Sequence, residues 1–244
     1  MTHIYVDADI PLYKFSVTHT SKTGETNLEG AAEGLARNLE TLQRKLKADK
    51  MTLVFSGQGN FRKTLNRCYK LNRPPSPELR TPLKQAMMDK FETKEHSGLE
   101  ADDVLGIICT SPTAKDVILV SSDKDMLTLP CTIYNPDTEV MVTQDIDEAD
   151  RMFWTQAIIG DPTDGYYGIP GVGVKRAQPM VQTIMSHSSL QDRIDYLVSE
   201  YEFHYLDRAY ALRQMQMAYI LRASDYNRKN STIHIFGTER EFQI

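Results

Sequence analysis

The chain contains the stretch Val117-Ile118-Leu119-Val120-Ser121-Ser122-Asp123, an apolar run that ends in an acidic residue. The same pattern opens the chain at His3-Ile4-Tyr5-Val6-Asp7, and Leu53–Phe55 and Cys131–Tyr134 are further apolar runs. The run at 117 is too apolar for an exposed edge, so we expect buried strands. Between the first two strands, residues 28–46 carry leucines at helical spacing. Alternating strands and helices predict an α/β fold with a central, mostly parallel sheet flanked by helices.

Length and composition are those of a globular protein with a substantial core. At 244 residues and 41% hydrophobic content, the chain is long enough for one large domain or two small ones. It has no run of 18 apolar residues, so a membrane span is not expected. The first residues show no basic region followed by an apolar one, so a secretory signal is not expected, and the three cysteines form no C-x-x-C motif. These features predict a reduced, cytoplasmic protein.

Eight carboxylates occupy the ends of predicted elements. They are Asp7, Glu100, Asp102, Asp103, Asp123, Asp125, Asp161 and Asp164. Carboxylates held close together repel one another, whereas Mg²⁺ prefers carboxylate and water oxygens. Asp7 and Asp123 follow predicted parallel strands, whose carboxyl ends meet at the edge where ligands bind, and the helix 101–108 can reach the same edge. An isolated D-x-D pair is more often a loop, but the joint placement favours divalent metal binding.

The net charge of −5 conceals a basic segment, residues 62–94. This segment contains nine basic residues and only three acidic ones. Such an excess attracts phosphate groups at long range, which would suit a nucleic-acid partner. A solvated helix face explains a basic run equally well when the run is taken alone.

Beyond residue 150 the sequence predicts a mainly helical region. A short helix is predicted from Met152 to Ile159, then a polar loop from Asp161 to Gly173, and a second helix from about Val174. We expect residues 1–150, with the basic segment, to form the α/β core and residues 151–244 to form the helical region. The two are expected to pack as one compact unit.

Five motifs in this order resemble the 5′-nuclease superfamily of flap endonucleases and 5′→3′ exonucleases, most closely its bacteriophage exonuclease branch. The motifs are Val6–Asp9, Phe61–Lys63 with Tyr69–Arg73, Leu99–Val104, Ser121–Asp125, and Gly160–Gly165 running into Gly168–Ala177. The resemblance implies a PIN-like nuclease core of residues 1–150 and a helix–hairpin–helix within residues 151–244. If a phage encodes the chain, its location would be the host cytoplasm.

The resemblance also implies two divalent metal ions, Mg²⁺ or Mn²⁺. It places four carboxylates around the first ion: Asp7, Glu100, Asp102 and Asp103. It places Asp123 between the two ions, and Asp125, Asp161 and Asp164 around the second. Two ions can generate hydroxide, bind a phosphate oxygen and stabilise the leaving 3′-oxygen. Asp9 is expected to bind water or a backbone group. Lys70 and Arg73 match a lysine and an arginine that contact the scissile phosphate, with generic surface charges as the alternative.

Contacts with DNA follow from the same resemblance. One aromatic side chain is predicted to stack on a terminal base, with a core position as the equal alternative. Glycines of the hairpin would let backbone amides approach the duplex backbone, next to two basic residues. Relatives often hold a monovalent cation in this hairpin, so K⁺ is a further expected ligand; a plain Gly/Pro turn is the alternative. The predicted DNA-binding residues are Arg62, Lys63, Tyr69, Gly168, Gly171, Gly173, Lys175 and Arg176.

Three departures from the family pattern bear on function. Where many relatives carry an aspartate at the end of the second strand, this chain has Ser56, which questions the affinity for the first metal. Pro179 lies early in the helix after the hairpin and is expected to kink or shorten it. The segment from Arg73 to Glu95 is short for an arch that threads single strands, which favours action at DNA ends.

The predicted function is a metal-dependent 5′→3′ exodeoxyribonuclease that acts on duplex DNA with a 5′ end. One alternative is a flap endonuclease or an RNase H-type enzyme that removes RNA primers from an RNA–DNA hybrid. Another, from a different class, is a non-catalytic DNA-binding module. Such a module would gain by losing its mutually repelling acids, which argues against it.

Overall fold

The computed structural model describes residues 1–21 and 23–244, which form two compact units. The first unit comprises residues 1–59, 74–126 and 131–143, and the second comprises residues 60–73, 127–130 and 144–244. The basic segment, residues 62–94, is therefore divided between the units: residues 62–73 belong to the second unit and residues 74–94 to the first. In the described part of the chain, no helix is long and apolar enough to cross a membrane.

Strands and helices alternate through the first unit, and helices dominate the second. The strands are β1 (His3–Asp7), β2 (Lys50–Val54), β3 (Glu92–Lys94), β4 (Val117–Val120), β5 (Thr132–Asn135), β6 (Val140–Thr143), β7 (Tyr226–Asn227), β8 (Thr232–His234) and β9 (Glu241–Gln243). The helices are α1 (Asp9–Thr18), α2 (Leu28–Lys45), α3 (Arg62–Leu65), α4 (Arg80–Lys90), α5 (Ala101–Cys109), α6 (Ile146–Ile159), α7 (Val174–Ser186), α8 (Leu190–Phe203) and α9 (Arg208–Ala218).

The first unit is built on a six-stranded sheet in the order β3-β2-β1-β4-β5-β6. Neighbouring strands from β3 to β5 are parallel, and β6 pairs antiparallel with β5. In the central strand, Tyr5 lies opposite Thr52 on one side and Leu119 on the other. The strands pack with α2, whose Leu35 and Leu39 are buried, because leucines four residues apart share a helix face. The predicted α/β fold with a mostly parallel sheet flanked by helices is confirmed.

Within the second unit, α6 begins six residues before the predicted start at Met152. The sequence signal for this start is a capping box. The Asp145 carboxylate accepts a hydrogen bond from the Glu148 backbone N–H at 2.8 Å, and the Glu148 carboxylate accepts one from the Asp145 N–H at 3.1 Å. This pair satisfies amides that have no partner inside the helix and fixes its first turn.

The core of the second unit brings α6 to α9 together around Trp154, Tyr201 and Met215, all fully buried. Pro179 lies inside α7, which continues to Ser186, so the predicted shortening is wrong. Pro179 lacks the N–H that would bond to the carbonyl of Lys175 and its ring crowds that carbonyl, but the residues on either side of it stay helical. A small antiparallel sheet, β7-β8-β9, follows the helices.

Candidate active site and nucleic-acid interface

The ends of β1 and β4 hold a chain of hydrogen-bonded acids in the first unit. These strands are parallel neighbours, so Asp7 and the residues after Val120 emerge at the same edge. The Ser121 hydroxyl donates to Asp7 Oδ2 at 2.8 Å and accepts from the Asp123 backbone N–H at 3.0 Å. The Asp123 carboxylate in turn accepts from the Asp125 N–H at 2.9 Å. Ser121, which sequence reasoning missed, thus links the two strand ends.

Asp7 is a strongly perturbed carboxyl at this edge. It is 3% exposed, and burial raises its pKa to about 7. The nearby carboxylates of Asp9 and Asp123 act in the same direction, whereas the hydrogen bond from Ser121 acts against them. The charge on Asp7 is therefore costly unless a cation lies nearby. This is the donor chemistry that suits a bound divalent ion.

The second acidic cluster lies at the start of α5, which packs against β1, β2 and β4. The Asp103 carboxylate, fully buried, accepts from the Glu100 backbone N–H at 3.3 Å. Asp102 also lies in this first turn, where the helix dipole favours negative charge. In the described residues as placed, no three acidic, histidine or cysteine side chains form a ready metal-binding group.

At the end of β2, Ser56 and Asp9 occupy the place where an additional acid was expected. The Ser56 backbone N–H donates to Asp9 at 3.0 Å, as predicted for a residue that binds a backbone group, and the Ser56 hydroxyl accepts from the Ala101 N–H at 3.0 Å. Arg80 pairs with Asp9 at 2.8 Å, and the Lys84 ammonium donates to the Ser56 carbonyl at 3.3 Å. The sequence analysis did not include Arg80 and Lys84 among the site residues. Their spacing of four residues on α4 indicates that they share one face of the helix.

In the second unit, the loop after α6 brings Asp164 to the two predicted catalytic cations. The Arg73 guanidinium lies 2.6 Å from Asp164 Oδ1, and the Lys70 ammonium lies 3.6 Å from Oδ2. The Lys70 backbone N–H also donates to the Asp164 carbonyl at 3.0 Å. Asp161 stabilises the loop by accepting from the Thr163 N–H at 2.9 Å. Lys70 and Arg73 thus both lie beside Asp164, one of the predicted metal ligands.

Two predicted DNA contacts are structural instead. Tyr69 is 4% exposed and packs in the core of the second unit, which is the alternative considered for it. Arg62 is 2% exposed, and its guanidinium donates to the Tyr219 carbonyl at 2.6 Å. The Tyr69 ring instead supports the Lys70 ammonium, which lies 5.0 Å from its centroid. Lys63, by contrast, is exposed.

The glycines of the hairpin have different roles. Gly168 is buried with φ +62°, and its N–H donates to Gln214 Oε1 at 2.9 Å, so this amide does not face a ligand. The prediction of a DNA contact at Gly168 is therefore corrected to a loop-shaping role. Gly171, with φ +74°, and Gly173, just before α7, are exposed. Gln214 was missed because it lies 46 residues away in sequence.

Exposed basic side chains flank the start of α7. Lys175 and Arg176 occupy its first turn and are both exposed. Arg176 donates to the Gly171 carbonyl at 3.2 Å, which ties the helix to the turn before it. Gly173 provides no side-chain cap for the first amides of α7. Backbone amides and two cations therefore share one end of this helix.

Comparison with known proteins decides the family. Residues 4–154, more than half of the chain, match the sequence profile of the 5′-3′ exonuclease, N-terminal resolvase-like domain. The chain belongs to the 5′-3′ exonuclease family. The predicted resemblance and the predicted class of enzyme, a nuclease that hydrolyses phosphodiester bonds, are confirmed.

Individual relatives agree with this assignment. The 5′-3′ exonuclease of Buchnera aphidicola subsp. Schizaphis graminum is 26% identical over 215 residues, which are 80% of this chain and 75% of the relative. The exodeoxyribonuclease of Enterobacteria phage T3 is 33% identical over 150 residues, 58% of this chain, and the match spans only half of the phage protein. A structure of the phage T5 D15 flap endonuclease with DNA and metal ions superposes with a TM-score of 0.60 at 19% identity, covering 88% and 89% of the two chains.

Proposed function

We propose that this member of the family hydrolyses DNA from a 5′ end in a reaction that requires divalent metal ions, Mg²⁺ or Mn²⁺. The observation that carries the proposal is the buried Asp7, whose pKa is raised to about 7 by burial and by neighbouring carboxylates. A carboxylate that serves only the fold is normally exposed to water or paired with a cation, because an unpaired buried charge destabilises the folded state. The metal-bound T5 structure supports the same requirement by analogy.

The metal ligands we propose are the eight predicted carboxylates: Asp7, Glu100, Asp102, Asp103, Asp123, Asp125, Asp161 and Asp164. When bound, two divalent ions lower the pKa of a bound water and neutralise charge on the phosphate and the leaving oxygen. Ser121 keeps the Asp7 carboxylate oriented through its hydrogen bond. K⁺ at the hairpin is a further proposed ligand.

Lys70 and Arg73 are proposed to bind the scissile phosphate and to stabilise its charge in the transition state. Lys70 is suited to this role because its ammonium is held between the Tyr69 ring and Asp164, at 5.0 Å and 3.6 Å. Its backbone has φ +54°, a conformation that is uncommon outside glycine and often marks functional positions.

DNA is the proposed partner, bound by backbone contacts that do not read sequence. Lys63, Gly171, Gly173, Lys175 and Arg176 are the exposed residues proposed to contact it. Because Gly173 leaves the first amides of α7 without a side-chain cap, a phosphate oxygen can accept from them. The resulting contacts would position the duplex as a helix–hairpin–helix does.

The test is product analysis on a duplex labelled internally and at each 5′ end, with Mg²⁺ and with EDTA. We expect small 5′-terminal products only with the metal. A 5′ flap and an RNA–DNA hybrid, run in parallel, separate the exonuclease from the flap and RNase H-type alternatives by their relative rates. Asp123→Ala should abolish cleavage while DNA binding is kept. Tight DNA binding without any cleavage by the wild type would instead support the binding module.

A further inference from the structure

The Asp164 carboxylate is occupied by two cations of its own chain. Arg73 takes one oxygen at 2.6 Å, and Lys70 faces the other at 3.6 Å. The Asp164 and Lys70 side chains are each 13% exposed, so water screens their interaction only weakly. A phosphate group is bound in the same way, with two cationic side chains on two oxygens of one anion.

The backbones of the two segments are locked in register. The Lys70 N–H donates to the Asp164 carbonyl at 3.0 Å, and the Asn66 side-chain amide donates to the Gly165 carbonyl at 3.2 Å. Gly165 has no room for a side chain, because a Cβ there would lie 2.3 Å from the Cys68 carbonyl oxygen. The segment that carries the two cations therefore cannot slide past Asp164 without breaking these contacts.

We propose that Asp164 is an internal substitute for a DNA phosphate: it holds Lys70 and Arg73 in place before DNA arrives and yields them to the phosphate when DNA binds. The proposal rests on the proposed role of Lys70 and Arg73 as phosphate ligands. An anion replaces an anion, so the two cations keep a partner throughout and need little rearrangement. Asp164 thereby competes with DNA, and its carboxylate becomes available to a cation only after the exchange.

The experiment measures the affinity for a 5′-labelled duplex by fluorescence anisotropy in EDTA, where no cleavage occurs. Asp164→Asn should bind DNA about threefold to tenfold more tightly than the wild type. In this variant Arg73 and Lys70 do not have to break ion pairs with a carboxylate before they bind the DNA phosphate. In a background that carries both Lys70→Ala and Arg73→Ala, the same substitution should improve binding less than twofold, because no cation is left for it to release. Asp164→Glu, which keeps the charge, should give no gain, and circular dichroism confirms that each variant is folded.

An equal gain from Asp164→Asn in both backgrounds would overturn the proposal, since it would reflect only the change in net charge. No gain in either background would overturn it as well. The proposed role of Lys70 and Arg73 fails by a different result, namely Arg73→Ala and Lys70→Ala variants with wild-type cleavage rates and DNA affinity, and the proposed nuclease function fails if the wild type binds DNA but does not cleave it with Mg²⁺. The two failures are therefore distinguishable.

Discussion

Replacing Asp7 with asparagine should destroy activity and at the same time stabilise the metal-depleted protein. The burial of Asp7 raises its pKa from 3.8 to about 7, so the folded state holds a proton that the unfolded state gives up. The ionised carboxylate is therefore a cost to folding that is absent below pH 3.8, grows as the pH rises, and is complete above pH 7. At about 1.4 kcal/mol per pKa unit, the cost reaches about 4 kcal/mol at most.

Asparagine removes this cost and can still accept the hydrogen bond from Ser121. We expect Asp7→Asn to raise the free energy of unfolding by about 2 to 4 kcal/mol at pH 8 and by less than about 2 kcal/mol at pH 5, where the folded carboxyl is still protonated and only the unfolded one is ionised. Urea unfolding in EDTA, followed by far-UV circular dichroism, measures both values.

The control is Asp137→Asn, in the same unit. The hydrogen bond from Lys14 lowers the pKa of Asp137, so its contribution has the opposite sign: it stabilises above the ordinary pKa and is lost as the pH falls. Asp137→Asn should therefore not stabilise the protein at pH 8. Addition of Mg²⁺ should stabilise the wild type but not Asp7→Asn. An Asp7→Asn variant that is less stable than the wild type at pH 8 in EDTA would refute the reasoning.

Five further substitutions test the catalytic and structural assignments. Lys70→Ala should lower the single-turnover cleavage rate by about 100-fold and the DNA affinity by less than about threefold; equal losses in both would contradict a transition-state contact. Arg222→Ala removes a largely buried ion pair at 2.8 Å and should cost about 2 kcal/mol in urea unfolding, whereas Arg208→Ala, at a half-exposed pair of the same length, should cost less than about 0.5 kcal/mol. Gly168→Ala should lower the free energy of unfolding by about 3 kcal/mol or more, because the new Cβ would lie 2.3 Å from a carbonyl oxygen. Gly171→Ala should lower it by only about 1 kcal/mol, because no atom would lie within 4 Å of the new Cβ. Similar losses for the two variants would show that the loop adapts.

Much of the architecture can be predicted because its signals are local. Apolar runs predict β1 and β4 almost residue for residue, and the leucine spacing predicts α2. The start of α6 was misplaced although its capping box, Asp145 and Glu148, is also a local signal. In α6 the helical spacing of apolar residues is a weaker signal than the capping box, so a prediction from apolar spacing alone starts the helix too late.

The sequence by itself determined the order of the four parallel strands β1, β2, β4 and β5, the acids at the strand ends, and the family, since each depends on residue type and short spacings. Only the tertiary structure decided that Tyr69 and Arg62 are buried and that the Gly168 amide is bound by Gln214. It also decided that Asp164 pairs with Arg73 across 91 residues of sequence. Burial and pairing depend on which distant segments pack together, and an exposed and a buried aromatic next to a lysine look the same in sequence.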